Sequence, residues 1–546
     1  MKLLELFRRE TTIPRWRHVV LAAVSGISNA AVLAIINVSA TNAASGKGNF
    51  SNLLLFICAI GIFVVSQRHL MAEVCREVEM LVHAVRVRLL NLARKVEFLE
   101  IEEIGRTDIH ACLARETQVI SQAAPNIVIA LQAAILVLCT MVYMAVLSLT
   151  AFVLSTVFTV LGAWVHLARS KEIKQQLRET YQRENALMDG FTDMFDGFKE
   201  VKMCAVRSQE IANKVERLSR EVADLKTKIQ TNYARDFVFS QVTFFILTGL
   251  MVFVVPVISK EYVESVVMTT TATLFMIGPI SNVVGSLSIF SNAEAAADNL
   301  LNLETRLRAI ARNINTGTED FRDFHRLTMK DAMFHFRPPN GEAGFTVGPI
   351  NLTIERGSIV FVTGGNGSGK STFMRMLMGL YPVSEGLLLV DGRVVEDTNI
   401  SDYRDLFSVI FSDNHLFVEL YGVPAIDPDE VAQLLDLLEI RQKVGLIGRI
   451  FTTVKLSGGQ RKRLALIAAI LEKRPIYVFD EWAADQDPHF REKFYHVILP
   501  RFRTAGITVI AVTHDDKYFN VADIHLHMED GKISATRRRR AKAQKS

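Results

Sequence analysis

Hydrophobic and polar positions are arranged differently in the two halves of this chain. In the first half, long apolar runs alternate with long polar segments. The runs lie near Val19–Val38, Leu53–Ser66, Ile127–Leu147, Leu149–Leu167, Phe237–Ile258 and Val266–Leu287. Most approach the ~20 residues that a helix needs to cross ~30 Å of hydrocarbon. The second is short, but Asn52 and Gln67 can flank it at the interface. The first follows a basic start with Arg8, Arg9, Arg15 and Arg17, as a signal peptide would. It is too long for a signal peptide's apolar core, and similar runs follow it. The pattern predicts six membrane spans.

The segments between the runs set an orientation. Lys47 is the basic residue between runs one and two, Lys260 between five and six, and none stands between three and four. The other two connections are long and basic, from Arg68 to Arg115 and from Arg169 to Arg235. Positive charge collects on the cytoplasmic side. The bias predicts cytoplasmic termini and cytoplasmic long connections. Residues 68–97, 169–188 and 199–235 are rich in helix formers of mixed charge, so they are predicted to be water-facing helices. Breaks near Glu102-Glu103-Ile104-Gly105 and Phe195-Asp196-Gly197-Phe198 suggest short cross-helices that press on a cytoplasmic domain.

In the second half the runs shorten to strand length and alternate with helical segments. Ile359–Thr363 reads as a buried strand, Gly364-Gly365-Asn366-Gly367-Ser368-Gly369-Lys370-Ser371 as a loop, and Thr372–Met378 as a helix. The loop is a G-x-x-x-x-G-K-S phosphate cradle. Its glycines let backbone N–H groups curl around phosphate oxygens. Lys370 can reach the β- and γ-phosphates, and Ser371 can ligate Mg²⁺. The helix N-terminus behind them, at Thr372, favours anions.

Pro475–Glu481 is an apolar strand ending in two carboxylates. Asp480 is placed to hold Mg²⁺ through water, and Glu481 to polarise an attacking water. Leu456-Ser457-Gly458-Gly459-Gln460 precedes a basic helix start, Arg461-Lys462-Arg463, and can bind a γ-phosphate through Ser457 and the glycine N–H groups. His514, after the strand Thr508–Val512, can contact the γ-phosphate.

Composition adds limits. The chain has 546 residues, 49% hydrophobic and only 22% charged. A mean hydropathy of +0.22 is too apolar for a soluble multidomain protein. The net charge of +4 is too mild to argue for nucleic acid. Cys58, Cys75, Cys112, Cys139 and Cys204 are scattered singles, unlike a disulfide framework or zinc site. His525 and His527 share a strand face without a third ligand nearby. Arg537–Arg540, Lys542 and Lys545 form a basic tail, suited to solvent or anionic lipid.

Together these residues resemble an ATP-binding cassette: the phosphate loop, LSGGQ, Asp480-Glu481 and His514. Six spans with two long cytoplasmic connections resemble an ABC exporter half-transporter over nearly the whole chain. The wording FTVGPINLTIERG, GGNGSGKST, DEWAADQDPHFR and THDDKYF is similar to the cyclic-peptide exporter family of Gram-negative bacteria. That family includes pyoverdine-precursor, syringomycin and YojI-type peptide exporters. The resemblance implies a polytopic α-helical membrane domain fused to an α/β P-loop cassette domain. It implies ATP and Mg²⁺ as cofactors and an inner-membrane homodimer that moves peptides outward. It puts Phe336 under the adenine and Asp487 in the loop between two ATP sites. Each phosphate loop would meet the partner copy's LSGGQ.

The expected domains are 1–310 for the membrane part, 311–328 for a linker, 329–536 for the cassette and 537–546 for the tail. One departure stands out. Ser412 occupies the place where such cassettes carry a Mg²⁺-contacting Gln. The stretch from Ser412 to Leu456 is also short. Asn29, Asn37, Gln132, Gln241 and Asn282 lie in the spans. They fit either interhelical hydrogen bonds or a polar cargo wall. No Asp, Glu, Lys or Arg lies deep in any span, which argues against a proton relay. Pro256 and Pro279 are expected to kink spans five and six. The cargo expectation is a peptide or peptide-siderophore precursor. The rivals are a lipid or drug flippase of the same build and an ATP-gated regulator that transports nothing.

Overall fold

The structure is a computed structural model. It describes residues 2–10, 16–44, 50–105, 109–110, 112–258, 265–312, 319–336, 344–413, 415–423 and 425–538. Lys47, Lys260, Arg15 and the tail from 539 onward lie outside them. The chain packs as two units: 1–94 with 104–310, and 95–103 with 311–546.

The first unit is built of helices. They are α1 (Lys2–Glu10), α2 (Trp16–Ala44), α3 (Phe50–Ala93), α4 (Phe98–Ile104), α5 (Thr117–Leu147), α6 (Leu149–Asp196), α7 (Phe198–Met203), α8 (Ala205–Gly249), α9 (Val255–Ile258) and α10 (Val266–Ile310). Only Ile104 of α4 belongs to this unit. Among the described residues, five stretches are long and apolar enough to cross a membrane: Trp16–Asn42, Phe50–Ala93, Cys112–Leu147, Ala205–Val257 and Val266–Ile310. The fourth expected span falls on the shorter apolar segment Leu149–Val165, which opens α6.

Spans three and four are parted by one residue. Ser148 is extended, and its hydroxyl accepts from the Ala151 N–H, which caps α6. Between α8 and α9, Leu250–Val254 forms a π-turn. Pro256 stands two positions beyond its end. A proline lacks the N–H that would bond back along the helix, and the wider turn accommodates that loss. α10 continues as helix through Pro279. Leu33, Met144, Phe244, Leu247, Met251 and Met276 form the interior of this unit. Leu53, Leu54, Leu55 and Ile57 on α3 are exposed, as suits side chains that face hydrocarbon.

The long connections are helical as expected. α3 ends at Ala93, short of the expected Glu97, and α4 ends at Ile104, before Gly105, whose φ of +91° suits glycine. α6 ends at Asp196, and Gly197 alone separates it from α7.

The second unit is an α/β fold. Its strands are β1 (Arg326–His335), β2 (Thr346–Glu355), β3 (Ile359–Gly364), β4 (Glu385–Val390), β5 (Arg393–Val394), β6 (Phe407–Ile410), β7 (Leu446–Ile447), β8 (Ile450–Phe451), β9 (Ile476–Asp480), β10 (Thr508–Val512), β11 (Ile524–Glu529) and β12 (Lys532–Arg538). One sheet runs β2-β1-β4-β5 and is antiparallel. The main sheet runs β12-β11-β3-β10-β9-β6 and is parallel except for β12.

Both faces of the main sheet are covered, so its strands read as continuous apolar runs. Val360, Val362, Ile510, Val512 and Val478 point into one core, shared with the antiparallel sheet. Ile359, Phe361, Val509, Tyr477 and Phe479 point into the other. This alternation places the ends of β3, β9 and β10 side by side, with Val512 in register with both Val362 and Asp480. Functional loops of parallel sheets collect at such carboxyl ends.

Candidate nucleotide site and membrane cavities

The phosphate loop leaves β3 and enters α11 (Lys370–Leu377). Gly364, Gly367 and Gly369 hold φ of +147°, +78° and +93°. A Cβ on Gly364 would stand 2.3 Å from the Met528 carbonyl oxygen, so no other residue fits there. Gly365, Asn366, Gly367 and Ser371 are exposed, whereas Lys370 is buried. The Lys370 ammonium donates to the Gly364 and Gly365 carbonyls at 3.0 and 2.8 Å. It therefore lies curled within its own loop. The Ser368 hydroxyl is buried there without a hydrogen-bond partner. A curled loop of exposed N–H groups and a lysine, at a helix N-terminus, fits a polyphosphate.

Asp480 ends β9, and Glu481 follows in a left-handed conformation, φ +51°. A non-glycine residue in that region carries strain of about 1–3 kcal/mol. Burial pushes the Asp480 carboxyl above the usual carboxylate range. Hydrogen bonds from the Ser412 hydroxyl and N–H work against that rise, and the neighbouring Glu481 charge adds to it. Ser412 thus binds Asp480. His514 Nε2 stands 3.4 Å from Glu481 Oε1, with both side chains half exposed. Phe336 follows β1, is exposed, and donates its N–H to the Phe345 carbonyl.

Ser457 stands at the N-cap position of α12 (Gly458–Leu471) without a side-chain cap bond, and Ser457 and Gly458 are exposed. Gly459 packs closely: a Cβ there would meet the Asp485 carbonyl oxygen at 2.6 Å. Gln486 donates to the Gly459 carbonyl at 3.1 Å and accepts from Arg463 Nε at 2.8 Å. Arg463 also bonds Asp487 at 2.5 Å and lies over the Phe490 ring at 3.6 Å. The Phe490 N–H, with Arg463, holds the Asp487 carboxyl below the usual range. Lys462, 5% exposed, donates to the Glu481 carbonyl at 3.0 Å and pairs with Asp485 at 2.8 Å. Sequence reading noted Lys462 and Arg463 only as a basic helix start. Lys462 lies four residues before Leu466, on the apolar face of α12, and a lysine there signals a buried partner.

Residues 95–103 belong to this unit. Phe98 stacks on Tyr381 at 6.3 Å, and Arg375 sits 5.5 Å over the Phe98 ring. The Tyr381 hydroxyl donates to Glu102 at 2.9 Å and accepts from Arg375 at 2.6 Å. Glu97 pairs with Arg404, and the Arg312 N–H donates to the Lys95 carbonyl. This segment is the first of the two cross-helices that the sequence pattern suggests. Its partner residues were not legible in the sequence.

His525 and His527 both face the Thr363 hydroxyl, at 2.9 and 3.0 Å. Among the described residues no cluster of His, Cys, Asp and Glu could hold a metal ion.

The membrane unit contains a cavity of about 570 Å³ lined by Ser25, Asn29, Gln67, Gln132, Pro279 and Asn282 among apolar residues. Three of the five span amides thus share one wall. Gln132 also donates to Ser25, which donates to Gln67. Asn37 instead ties α2 to the Met268 carbonyl. Gln241 does not line this cavity.

Comparison with known proteins agrees with this geometry. A family model described as ABC transporter matches residues 347–484. The chain is 32% identical over 470 residues to "ATP-binding protein SyrD" of Pseudomonas syringae pv. syringae, covering 81% of each chain. It is 32% identical over 210 residues to "Probable syringafactin export ATP-binding/permease protein SyfD" of Pseudomonas syringae pv. syringae strain B728a, covering 36% of this chain and 32% of that one. A solved structure, "a bacterial Atm1-family ABC exporter with ATP bound", superposes with a TM-score of 0.77. That match covers 97% of this chain and 95% of the other at 17% identity, which shows a shared fold.

Proposed function

Since the chain belongs to the ABC transporter family and has the build of an ATP-hydrolysing exporter half-transporter, we propose that it exports a peptide or peptide-siderophore precursor. The direction is from the cytoplasm across the inner membrane of a Gram-negative bacterium, by a homodimer with cytoplasmic termini. The observation that carries the cargo reading is the 570 Å³ cavity. Four amides and a hydroxyl line it, and no ionisable side chain does. Amides hydrogen-bond a peptide backbone. Lipid phosphates would call for Arg or Lys in the wall.

In this reading Gly364, Asn366, Gly367, Gly369, Lys370, Ser371 and Thr372 hold the ATP phosphates, and Phe336 stacks on the adenine. Ser457, Gly458, Gly459 and Gln460 meet the partner copy's γ-phosphate, with Asp487 between the two sites. Ser371 and Asp480, the latter through water, would hold Mg²⁺, which neutralises charge on the phosphate oxygens. Glu481 orients the attacking water, and His514 contacts the γ-phosphate beside it. Lys370 must leave the Gly364 and Gly365 carbonyls to reach a phosphate, so ATP binding rearranges the loop. Residues 95–103 follow α3 in the chain and dock on Tyr381, Arg375 and Arg404.

The test is transport. Inside-out vesicles containing the purified protein should accumulate a compact, neutral peptide from the host's biosynthetic clusters when ATP is supplied. The peptide should also raise ATPase activity. Translocation of phospholipid or lipid A alone, with no effect of any such peptide, would replace this reading with the flippase one.

A further inference from the structure

Glu481 and His514 follow neighbouring strands, and the Glu481 N–H donates to the Val512 carbonyl at 3.2 Å. That bond holds the two backbones together. Beyond it the chain leaves the sheet. Trp482–Asp485 form a single 3₁₀ turn that leads on to Asp487. The last carbonyls of a helical turn have no partner within it. One side chain supplies the donors here. Arg491, on α13 (Pro488–Lys493), donates through Nε to the Ala483 carbonyl at 3.2 Å. Its Nη2 donates to the Ala484 and Gln486 carbonyls at 3.1 and 3.3 Å.

The other end of the guanidinium reaches the turn after β10. Arg491 Nη1 donates to Asp515 Oδ1 at 3.2 Å, and Asp515 is the residue after His514. Asp515 is itself held. Its Oδ2 accepts from the Tyr495 hydroxyl at 2.9 Å, and its N–H donates to the Thr513 hydroxyl oxygen at 3.1 Å. The Tyr495 and Thr513 oxygens lie 2.7 Å apart. Tyr495 directs its one proton to the carboxylate, so Thr513 donates to Tyr495. Burial pushes the Tyr495 phenol above its usual range, and it stays protonated at physiological pH. The ring is buried and stacks on Tyr518, with centres 4.3 Å apart.

Four N–H bonds of one guanidinium are thus divided between two segments. Three go to the stretch between Glu481 and Asp487, and one goes to the neighbour of His514. A guanidinium suits this task because its donors stand in a rigid planar fork. A lysine ammonium is a point charge and cannot hold the carbonyls and the carboxylate together. The Arg491 and Asp515 side chains are only 30% and 20% exposed, which shelters the pair from the screening that weakens surface pairs.

We propose that Arg491 is a positioning residue for ATP hydrolysis. Through the carbonyls of residues 483–486 and through Asp515, it sets where His514 stands relative to Glu481. Their Nε2 and Oε1 atoms lie 3.4 Å apart. Arg491 acts through these two residues and not on the nucleotide. Without the fork, the 482–487 segment and the His514 turn move independently. A misplacement of about 1 Å in such a pair can cost about 10²-fold in rate. The inference rests on the roles given above to Glu481 and His514.

The test uses the full-length protein in lipid nanodiscs, with steady-state ATPase and equilibrium ATP binding as readouts. Arg491→Lys should lower kcat by about tenfold or more and leave ATP affinity within about twofold. The discriminating measurement is a double-mutant cycle with His514→Ala. In the His514→Ala chain, Arg491→Lys should cost no more than about threefold, because the group it positions is gone. A residue that only holds the fold would cost the same factor in both backgrounds. Tyr495→Phe keeps the stack on Tyr518 and removes the donor to Asp515. It serves if Arg491→Lys does not fold, as judged by thermal unfolding. It should lower kcat by about threefold, and by much less in the His514→Ala chain. Equal factors in the two backgrounds, unchanged kcat in Arg491→Lys, or ATP affinity that falls as far as kcat overturns the inference. Wild-type turnover in His514→Ala alone would remove His514 from the reaction and take this inference with it. Equal factors in a chain that does need His514 would sink the inference and leave the assigned roles standing.

Discussion

Lys462 Nζ donates to the backbone carbonyl of Glu481 at 3.0 Å. The lysine sits at the start of α12, directly after the Ser457–Gln460 loop, and the glutamate holds φ of +51°. One buried ammonium therefore links the loop assigned to the partner's nucleotide with the strained residue assigned to water activation. Lys462→Met should lower the ATPase kcat by about tenfold or more, because a buried carbonyl and Asp485 lose their cation. ATP affinity, read by equilibrium binding, should change less than twofold or so. A variant with wild-type turnover would show that the Glu481 backbone needs no such support.

Glu481→Gln keeps size and hydrogen bonding but removes the carboxylate. ATP should still bind, and hydrolysis should fall by about 10²–10⁴-fold, the usual worth of a positioned base. The check is steady-state ATPase together with retention of radiolabelled ATP on a dimer isolated by size exclusion. Near-normal turnover would remove Glu481 from its assigned role.

Gly459→Ala should be far more damaging than its single methyl group suggests. The new Cβ would lie 2.6 Å from the Asp485 carbonyl oxygen and would push the 485–487 loop away from α12. We expect at least a tenfold or so loss of ATPase activity. Gly458→Ala, where a Cβ meets nothing within 4 Å, should be much milder. Equal effects in the two variants would point to backbone conformation in place of packing.

Ser412→Ala removes a hydroxyl that bonds Asp480 but spares the Ser412 N–H, which bonds it too. ATPase activity should stay within about threefold of wild type. A loss as large as that of Lys370→Ala would make Ser412 a direct Mg²⁺ ligand.

Tyr381→Ala removes the ring that stacks on Phe98 and the hydroxyl that bonds Glu102 and Arg375. Burial already pushes the pKa of this phenol up, so it stays protonated and donating at physiological pH. Peptide stimulation of ATPase should be largely lost, while basal ATPase persists. Stimulation that survives in Tyr381→Ala would mean that coupling runs through other contacts.

Legibility in the sequence followed the range of the interaction. β10 was readable to the residue, Thr508–Val512, because a strand buried on both faces is an unbroken apolar run. The phosphate loop was equally plain, since backbone N–H cradles need glycines at set spacings. The interruption of regular helix in span five was legible in Pro256, which lies just beyond the π-turn Leu250–Val254. What escaped was non-local. Gln486 reads as an ordinary polar residue until Gly459 and Arg463 are brought against it. Tyr381 and Arg404 carry no mark of their contacts with residues some 300 positions earlier.

The docking of residues 95–103 has a consequence for biogenesis. Glu97 and Arg404 are 307 positions apart. At a ribosomal pace of ~5–20 residues per second, roughly 15–60 s pass between their syntheses. Phe98 and Leu99 are made long before the surface that covers them, and a cassette translated from a gene fragment starting at 311 would emerge with that surface bare. The polypeptide can therefore seat this segment only after Arg404 has been made, when every helix of the first unit already lies behind it in the chain.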